Sequence, residues 1–512
     1  MELFTKIITV VNDIVWHPAC LFFLGGAAIW FTLRLKGLQF TGLPSMFHYM
    51  FEKESDELGE AKGLSAFQAL ATTVGGRVGT GNIAGTATAI FMGGPGALFW
   101  MWMAALLGAS TGMVECILGQ AYKTKNLGEL TGGPYYYMEK GFKNKKVGKI
   151  IAVLFCIAVF IGPGFLLPSM QTQTAATAMS NAFGIPAIVT GVGLMLLVGI
   201  VIMGGVKRVG QVAELIAPAM CAIYLLITIA VMALNAGRIP GMFADIFTGA
   251  FGRHSIYGGI MGACVSWGIK RGFFSNDAGN GMSPIISSTT NTSHPVKQGL
   301  VQGLSVYVDT ILVCTCTGLS ILCAGTYNVS ADGGATAKTL VSFAPGVEYG
   351  VSYMQEAIKT IAGQFGVIIL AIMITVFIYT TMLSYGVQLE SVCRYLFKAD
   401  KRVVTFIRIL YLLFVLSGVL IDGTIIWPMG DIGVGCMLWI NTFAVLCMTP
   451  MVLRIVKDFK KQKDLGLDPI FDPKTVGIED EEGVWDGYAE LKRKRGDYEN
   501  EALGYKLEKI ID

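Results

Sequence analysis

The chain has 512 residues, 53% hydrophobic and only 15% charged, with a formal net charge of +3. That balance lies far from soluble averages and describes an integral membrane protein, whose first partner is the lipid bilayer. The basic residues sit mainly in short loops, so no nucleic-acid partner is expected. Four histidines without a metal-like cluster and 11 scattered cysteines without C-x-x-C spacing speak against a metalloenzyme or redox site.

In chain order, residues 1–14 (MELFTKIITVVNDI) have the pattern of a short interfacial amphipathic helix, and no cleaved signal peptide is read at the N-terminus. Eleven apolar stretches follow, each about 20 residues or longer, the length that crosses a bilayer. They lie near 17–33, 66–92, 96–122, 149–181, 187–205, 209–235, 257–284, 298–324, 362–390, 403–421 and 431–455. One set of connecting loops carries Arg34, Lys36, Lys53 and Lys62, the lysines between 123 and 149, Lys207, Arg208, Lys297, Arg394, Lys398, Lys401 and Arg402. The opposite loops hold little beyond Arg238, Arg253, Lys338 and Lys359. By the positive-inside rule the first set is cytoplasmic, which puts the N-terminus outside and the C-terminus inside.

One span then precedes ten others, which divide into two fives that begin on opposite sides, the topology of an inverted repeat. The expected organisation is an N-terminal segment 1–65, repeats 66–240 and 241–456, and a polar tail 457–512. The tail mixes an acidic run at 479–482 with a basic one at 492–495 and reads as a solvated extension.

The first span of each five is interrupted: VGTGN at 78–82, and WGIKRGFFSNDAGNG at 267–281. Non-helical backbone at membrane depth is tolerated only where it is buried in protein or lines a cavity, and paired breaks of this kind mark the substrate and ion site of a secondary transporter. The half-helix resuming near Ile83 offers unsatisfied N–H groups and a positive dipole end to an anion such as a carboxylate. The half-helix ending near Val78 offers carbonyls to a hard cation, and the amide oxygen of Asn82 is a further candidate ligand. A glycine kink for helix packing is the alternative at this break. In the second break Ser275, Asn276 and Asp277 stand beside Gly272, Gly279 and Gly281, with Lys270 and Arg271 adjacent. Arg77, Glu115, Glu214, Asp309 and Glu390 add intramembrane charge, and some of these groups must form structural ion pairs. Gln171 and Gln173 follow GPGFLLP in a long span that proline and glycine can open, and Thr380 and Thr381 place two hydroxyls mid-membrane. A mid-helix threonine most often bonds its own i−4 carbonyl, which is the alternative there. Cys314 and Cys316 read as small buried residues.

Five motifs in order, GRVGTGNIAG (76–85), GGPGALFWMW (93–102), KRGFFSNDAG (270–279), HPVKQGL (294–300) and VDTILVCTC (308–316), make the chain resemble the alanine/glycine:cation symporters of prokaryotes over about residues 20–470. That family resembles in turn the transporters with the five-plus-five inverted repeat first seen in the bacterial leucine transporter. The resemblance implies an all-α fold of eleven transmembrane helices and a carrier in the prokaryotic inner membrane. It implies a substrate carboxylate on Gly79, Thr80 and Gly81, and a co-transported sodium ion held by Gly75 or Val78 carbonyls with Thr380 and Thr381. Gln171, Trp267, Phe273 and Asn276 would complete a pocket for a small neutral amino acid. The run SNDAGNGMSP at 275–284 departs from the family's usual SNEAGMGSAP, PGFLLP at 163–168 replaces a G-x-G-N-M-V-like run, and Trp267 stands where a smaller polar residue is common. These departures bear on which amino acid is carried.

The function expected is therefore sodium-coupled symport of alanine or glycine by alternating access, with a proton-coupled carrier of another small or polar amino acid as the alternative. No phosphate-binding G-x-x-x-x-G-K-[ST] loop suggests ATP hydrolysis. A passive channel lacks a repeated pore loop, and an intramembrane enzyme lacks a nucleophile–base pair.

Overall fold

A computed structural model of the protein describes residues 2–52, 63–126, 128–253, 257–333, 338–397, 401–421, 423–500 and 502–504. Lys53, Lys62, His254 and Lys398 lie outside these. The chain is a helical bundle with two small antiparallel hairpins, Thr124–Asn126 with Glu129–Thr131 and Asn328–Ser330 with Thr339–Ser342. A helix stands at each of the eleven apolar stretches. Seven helices among the described residues are long and apolar enough to cross a membrane by length and composition alone. The two interrupted helices and the shorter Ala187–Ile202 and Lys401–Ser417 fall below that length.

The first interrupted helix begins at Ala66, behind a capping box in which the Ser65 hydroxyl accepts from the Gln68 N–H and the Gln68 side chain accepts from the Ser65 N–H. It runs to Arg77, turns extended at Val78 (ψ 98°), and resumes as a wide π-type turn, Gly81–Gly85, leading into Thr86–Gly93. A second wide turn, Gly162–Leu166, interrupts Lys145–Phe183 where Gly162, Pro163 and Gly164 remove one backbone donor and relax the helix.

The second interruption is shorter than the sequence suggests. Helix Met261–Asn276 continues through Trp267 and Phe274, side chains a helix accommodates, and the break is confined to 277–281. There Asp277, Gly279 and Gly281 have φ of 55°, 91° and 84°, which a right-handed helix does not admit, and Met282–Ser287 follows. The ninth stretch likewise begins at a kink: Gly363 (φ 56°, ψ −147°) separates 351–362 from the long helix that runs to Phe397.

The C-terminal tail keeps its acidic run at 479–482 largely exposed but docks part of its length against the bundle, and the last long helix ends at Cys447 before a separate Thr449–Asp464. Phe471, Trp485 and Lys492 are buried because apolar residues interleaved with the charge runs dock them. The Phe471 N–H donates to the Ser293 carbonyl (2.8 Å), Lys297 pairs with Asp468 (2.7 Å), and the Lys123 ammonium lies 4.2 Å from the centre of the Trp485 ring. At the root of this contact the Nδ1 of His294 accepts the Val296 N–H (3.2 Å), capping Pro295–Val306, and its Nε2 faces Asp458 (3.2 Å). Lys492 sits 3.6 Å from the other oxygen of Asp458, and Lys297 is the next cation.

Burial holds the His294 imidazole below its usual range, with Asp458 pulling the other way. A depressed folded value means that its contribution is complete above about pH 6.5, the unfolded value, and is lost as the pH falls through the folded one. Protonation would also set an N–H against the Val296 N–H. In purified protein, limited proteolysis should cut within 465–500 several-fold faster at pH 5.5 than at pH 7.5. His294→Asn, which keeps a cap oxygen and an amide donor, should flatten that difference; equal pH dependence in the variant would remove His294 from the attachment.

Candidate functional site

At the first break three backbone carbonyls converge on one hydroxyl. Thr381 Oγ1 lies 3.1 Å from the Gly75 oxygen, 3.0 Å from the Val78 oxygen and 3.0 Å from the Phe377 oxygen. A hydroxyl has a single proton, so it can satisfy one of these carbonyls and must face the others with its lone pairs. The Gly75 and Val78 oxygens lie at the C-terminal end of half-helix Ala66–Arg77, the negative end of its dipole, whereas that of Phe377 lies inside the helix that carries Thr381. Thr380 stands beside them: its hydroxyl donates to the same Phe377 carbonyl (2.9 Å), and its Cβ is 3.3 Å from where a Cβ on Gly75 would be. The Met220 sulfur lies 3.9 Å from the Thr380 hydroxyl, but the oxygens gathered on Thr381 suit a hard cation, and that donor set fits one.

The resuming half-helix turns its N–H groups the other way. The Gly79 N–H donates to Asn82 Oδ1 (2.9 Å) and the Thr80 N–H to Gln171 Oε1 (3.2 Å). The Gln171 amide oxygen thus occupies the position an anionic oxygen would take, carried there by the helix that resumes after the wide turn at 162–166. The Asn82 oxygen accepts the Gly79 N–H, next in the chain to Val78, and its Nδ2 donates to Asp309 Oδ1 (2.7 Å).

The first break packs against the helix that leads into the second. A Cβ on Gly81 would stand 3.3 Å from the Phe274 ring and 3.4 Å from Ser275 Cα, and Ser275 Oγ donates to Asp309 Oδ2 (2.8 Å). Asp309, fully buried on the wide turn Tyr307–Cys314, therefore receives one side-chain donor from each interrupted helix, with Thr310 Oγ1 as a third (2.8 Å). No cationic side chain lies within ion-pair distance of it among the described residues. Of the second helix's expected pocket residues, Phe273 packs against Gly108 and Asn276 faces the same helix, its Nδ2 buried without a partner and its Oδ1 capping Ala278. Trp267 is half-buried over Lys270 (4.9 Å) and Arg271 (5.2 Å). The structure thus brings Gly75, Val78, Thr380 and Thr381 together, and Gly79, Thr80 and Gly81 with Gln171; Trp267, Phe273 and Asn276 stand away from that centre, where Phe274 and Ser275 are instead.

Phe377, Phe274, Ser275 and Asp309 are the residues that sequence reasoning did not place. The Phe377 carbonyl had a signal, being the i−4 partner of Thr381. Ser275 and Asp309 were visible as costly intramembrane groups, but nothing in their spacing of 34 residues paired them.

Comparison with known proteins shows the family and the fold. The profile of the "Sodium:alanine symporter family" matches residues 1–473. The chain is 41% identical over 470 residues to the "Putative sodium/proton-dependent alanine carrier protein YrbD" of Bacillus subtilis, covering 91% of this chain and 95% of that one. It is 34% identical over 459 residues to the "Sodium/alanine symporter AgcS" of Methanococcus maripaludis (90% and 98%) and 34% identical over 470 residues to the "Probable sodium/glutamine symporter GlnT" of Bacillus subtilis (92% and 94%). Among solved structures, MhsT in complex with L-phenylalanine aligns with TM-score 0.52 at 12% identity, over 79% of this chain and 91% of that one. A Na+-coupled sialic acid symporter aligns with TM-score 0.52 at 13% identity, over 91% and 98%. These share the five-plus-five repeat fold with two discontinuous helices. On the matched profile and the near full-length identities, the chain belongs to the sodium:alanine symporter family, a family of membrane transporters and not of enzymes.

Proposed function

We propose that the protein carries a small neutral amino acid, alanine or glycine, into a prokaryotic cell by symport with sodium, alternating access about the two breaks. The observation that carries this is the convergence of the Gly75, Val78 and Phe377 carbonyls on Thr381 Oγ1, a set with more acceptors than protons. Sodium would be held there, with Thr380 as a further ligand and Asn82 outside the first coordination set. The carboxylate would lie on the N–H groups of Gly79, Thr80 and Gly81, displacing the Gln171 amide. Close packing of Gly81 on Phe274 and Ser275 is consistent with a small substrate side chain. Trp267, Phe273 and Asn276 would act from outside this centre, through the shape of their helix. The same reading has eleven crossings, the N-terminus outside, the C-terminus in the cytoplasm, and units 1–65, 66–240, 241–456 and 457–512.

The names of relatives described as sodium/proton-dependent make proton coupling the alternative. Purified protein in liposomes, with sodium, potassium and proton gradients imposed separately, distinguishes the two: labelled alanine should accumulate above equilibrium only with inward sodium. Accumulation driven equally by a proton gradient without sodium would overturn sodium coupling.

Thr381→Ala removes the oxygen on which the carbonyls converge. A lost hydrogen-bonding partner of about 1.4 kcal/mol is a factor of ten, so the sodium concentration for half-maximal uptake should rise about tenfold at near-normal abundance. Thr380→Ala should do less. Unchanged sodium dependence in both and in the double variant would take the pair out of the ion site.

Gly81→Val adds branched methyls where a bare Cβ already meets Phe274 at 3.3 Å, and should abolish binding, while Thr80→Ser should retain it. Amino acid amides, lacking the charge that makes such hydrogen bonds roughly twice as strong, should compete poorly with their acids. Competition against labelled alanine in sodium checks both; an amide that matches its acid would place the carboxylate elsewhere.

A further inference from the structure

We infer that a cavity at the start of helix Lys145–Ile161 binds the head group of an anionic glycerophospholipid from the surrounding bilayer. The cavity, of about 740 Å³, opens between the turn at 142–144, the beginning of that helix and the folded tail at 477–481. Its walls carry five lysines, at 140, 143, 145, 146 and 149, against three glutamates, Glu139, Glu479 and Glu481. Glu139 is taken by Lys149 (2.8 Å), and Lys140 lies 4.0 Å from Glu482. Lys143 and Lys146 have no carboxylate partner among the described residues. A concave site with a surplus of ammonium groups, two of them uncommitted, suits a phosphate, for which lysine serves as a compact, rotatable point charge.

The second observation is apolar and leads away from the first. Val147, Ile150, Leu154, Ile157 and Ile161 are 42%, 61%, 51%, 47% and 46% exposed, and their spacing of three, four, three and four residues puts them on one face of the helix. The stripe starts one residue beyond Lys146 and runs about 21 Å, more than the roughly 15 Å half-thickness of a hydrocarbon core. A basic cavity at the start of a helix that also carries an exposed apolar stripe matches a molecule that has an anionic head and acyl chains. Phe142, Met451 and Ile478 in the cavity wall favour the same occupant over a free phosphate, which has nothing to place against them. The positive-inside rule accounts for lysines at this end of the bundle; it does not account for a cavity walled on one side by the tail. An occupant would bridge a spanning helix and the tail.

The test uses the full-length protein, purified in neutral detergent and stripped of lipid, with fluorescent phosphatidylglycerol as the probe. It should bind at least tenfold more tightly than phosphatidylethanolamine of the same chains. The double variant Lys143→Gln, Lys146→Gln should lose about tenfold in affinity with an unchanged elution profile, while Lys207→Gln, in another basic loop, should bind as the wild type does. Leu154→Asn, on the stripe, should weaken binding with every lysine in place, and soluble glycerol phosphate at the same concentration should not displace the lipid. Equal affinity for the two lipids, an unaltered lysine double variant, or displacement by glycerol phosphate would overturn the assignment.

Discussion

An interrupted helix in an apolar medium frees backbone N–H and C=O groups that water cannot reach, each costing several kcal/mol if left alone. Every feature of the centre answers that constraint. At the first break Thr381 and Gln171 reach the freed groups from two other helices, and Asn82 from the resuming half-helix itself. At the second, Glu115 accepts the Gly281 N–H (3.0 Å), Asn441 donates to the Gly279 carbonyl (2.9 Å), and Asn280 takes the Met282 N–H (2.9 Å). The second break is therefore stitched to helices Ala97–Ala121 and Gly423–Cys447, and the first to Leu167–Phe183 and Val351–Phe397, by side chains that an unbroken helix would not need. Partners that hold a freed carbonyl only partly, as at Thr381, leave the space in which an ion substitutes for them.

Some of the intramembrane charges pair in structural clusters, while Arg77, Glu115, Asp277 and Asp309 are held by hydrogen bonds without an ion pair among the described residues. Arg271 makes a bidentate pair with Asp431 (2.8 and 3.0 Å), Lys270 joins it (2.8 Å), and Trp16 at the end of the N-terminal helix donates to the Asp431 carbonyl (2.9 Å). That cluster ties the half of the second interrupted helix that precedes its break to the last long helix and to the chain's beginning. Glu390 is likewise held by Arg394 (2.6 Å) and Arg408 (2.8 Å). Breaking one partner of such a pair strands a buried charge, a cost of roughly 3–5 kcal/mol, so these groups serve structure before transport. Asp309 differs, because hydrogen bonds from both interrupted helices, and no cation within ion-pair distance, stabilise it.

Much of this was legible in the residues. Hydrophobic runs located the helices, and glycine beside polar residues located both interruptions, because membrane-depth backbone follows so few rules. The threonine pair was legible as a mid-membrane oxygen source. The extent of the second break was not, since Trp267–Phe274 reads as unusual for a membrane span yet is helical, and only the positive φ of Asp277, Gly279 and Gly281 bounds it. Nor did the one-residue difference between Phe273 and Phe274 show which ring faces the first break, because helix rotation is set by packing on Gly108 and Gly81 from separate helices. The tail misled for a related reason: its charge runs suggest solvation, while a few interleaved aromatic residues dock it through partners some 180 residues or more distant in sequence, at Ser293, or over 350, at Lys123.

The most direct measurement is a high-resolution experimental structure determined twice, in sodium and in choline, with alanine present in both. The account predicts a density peak bounded by the carbonyl oxygens of Gly75, Val78 and Phe377 and by Thr381 Oγ1, present in sodium and absent in choline. A sodium-dependent peak elsewhere, or a cluster of oxygens that stays empty in sodium with alanine bound, would contradict it.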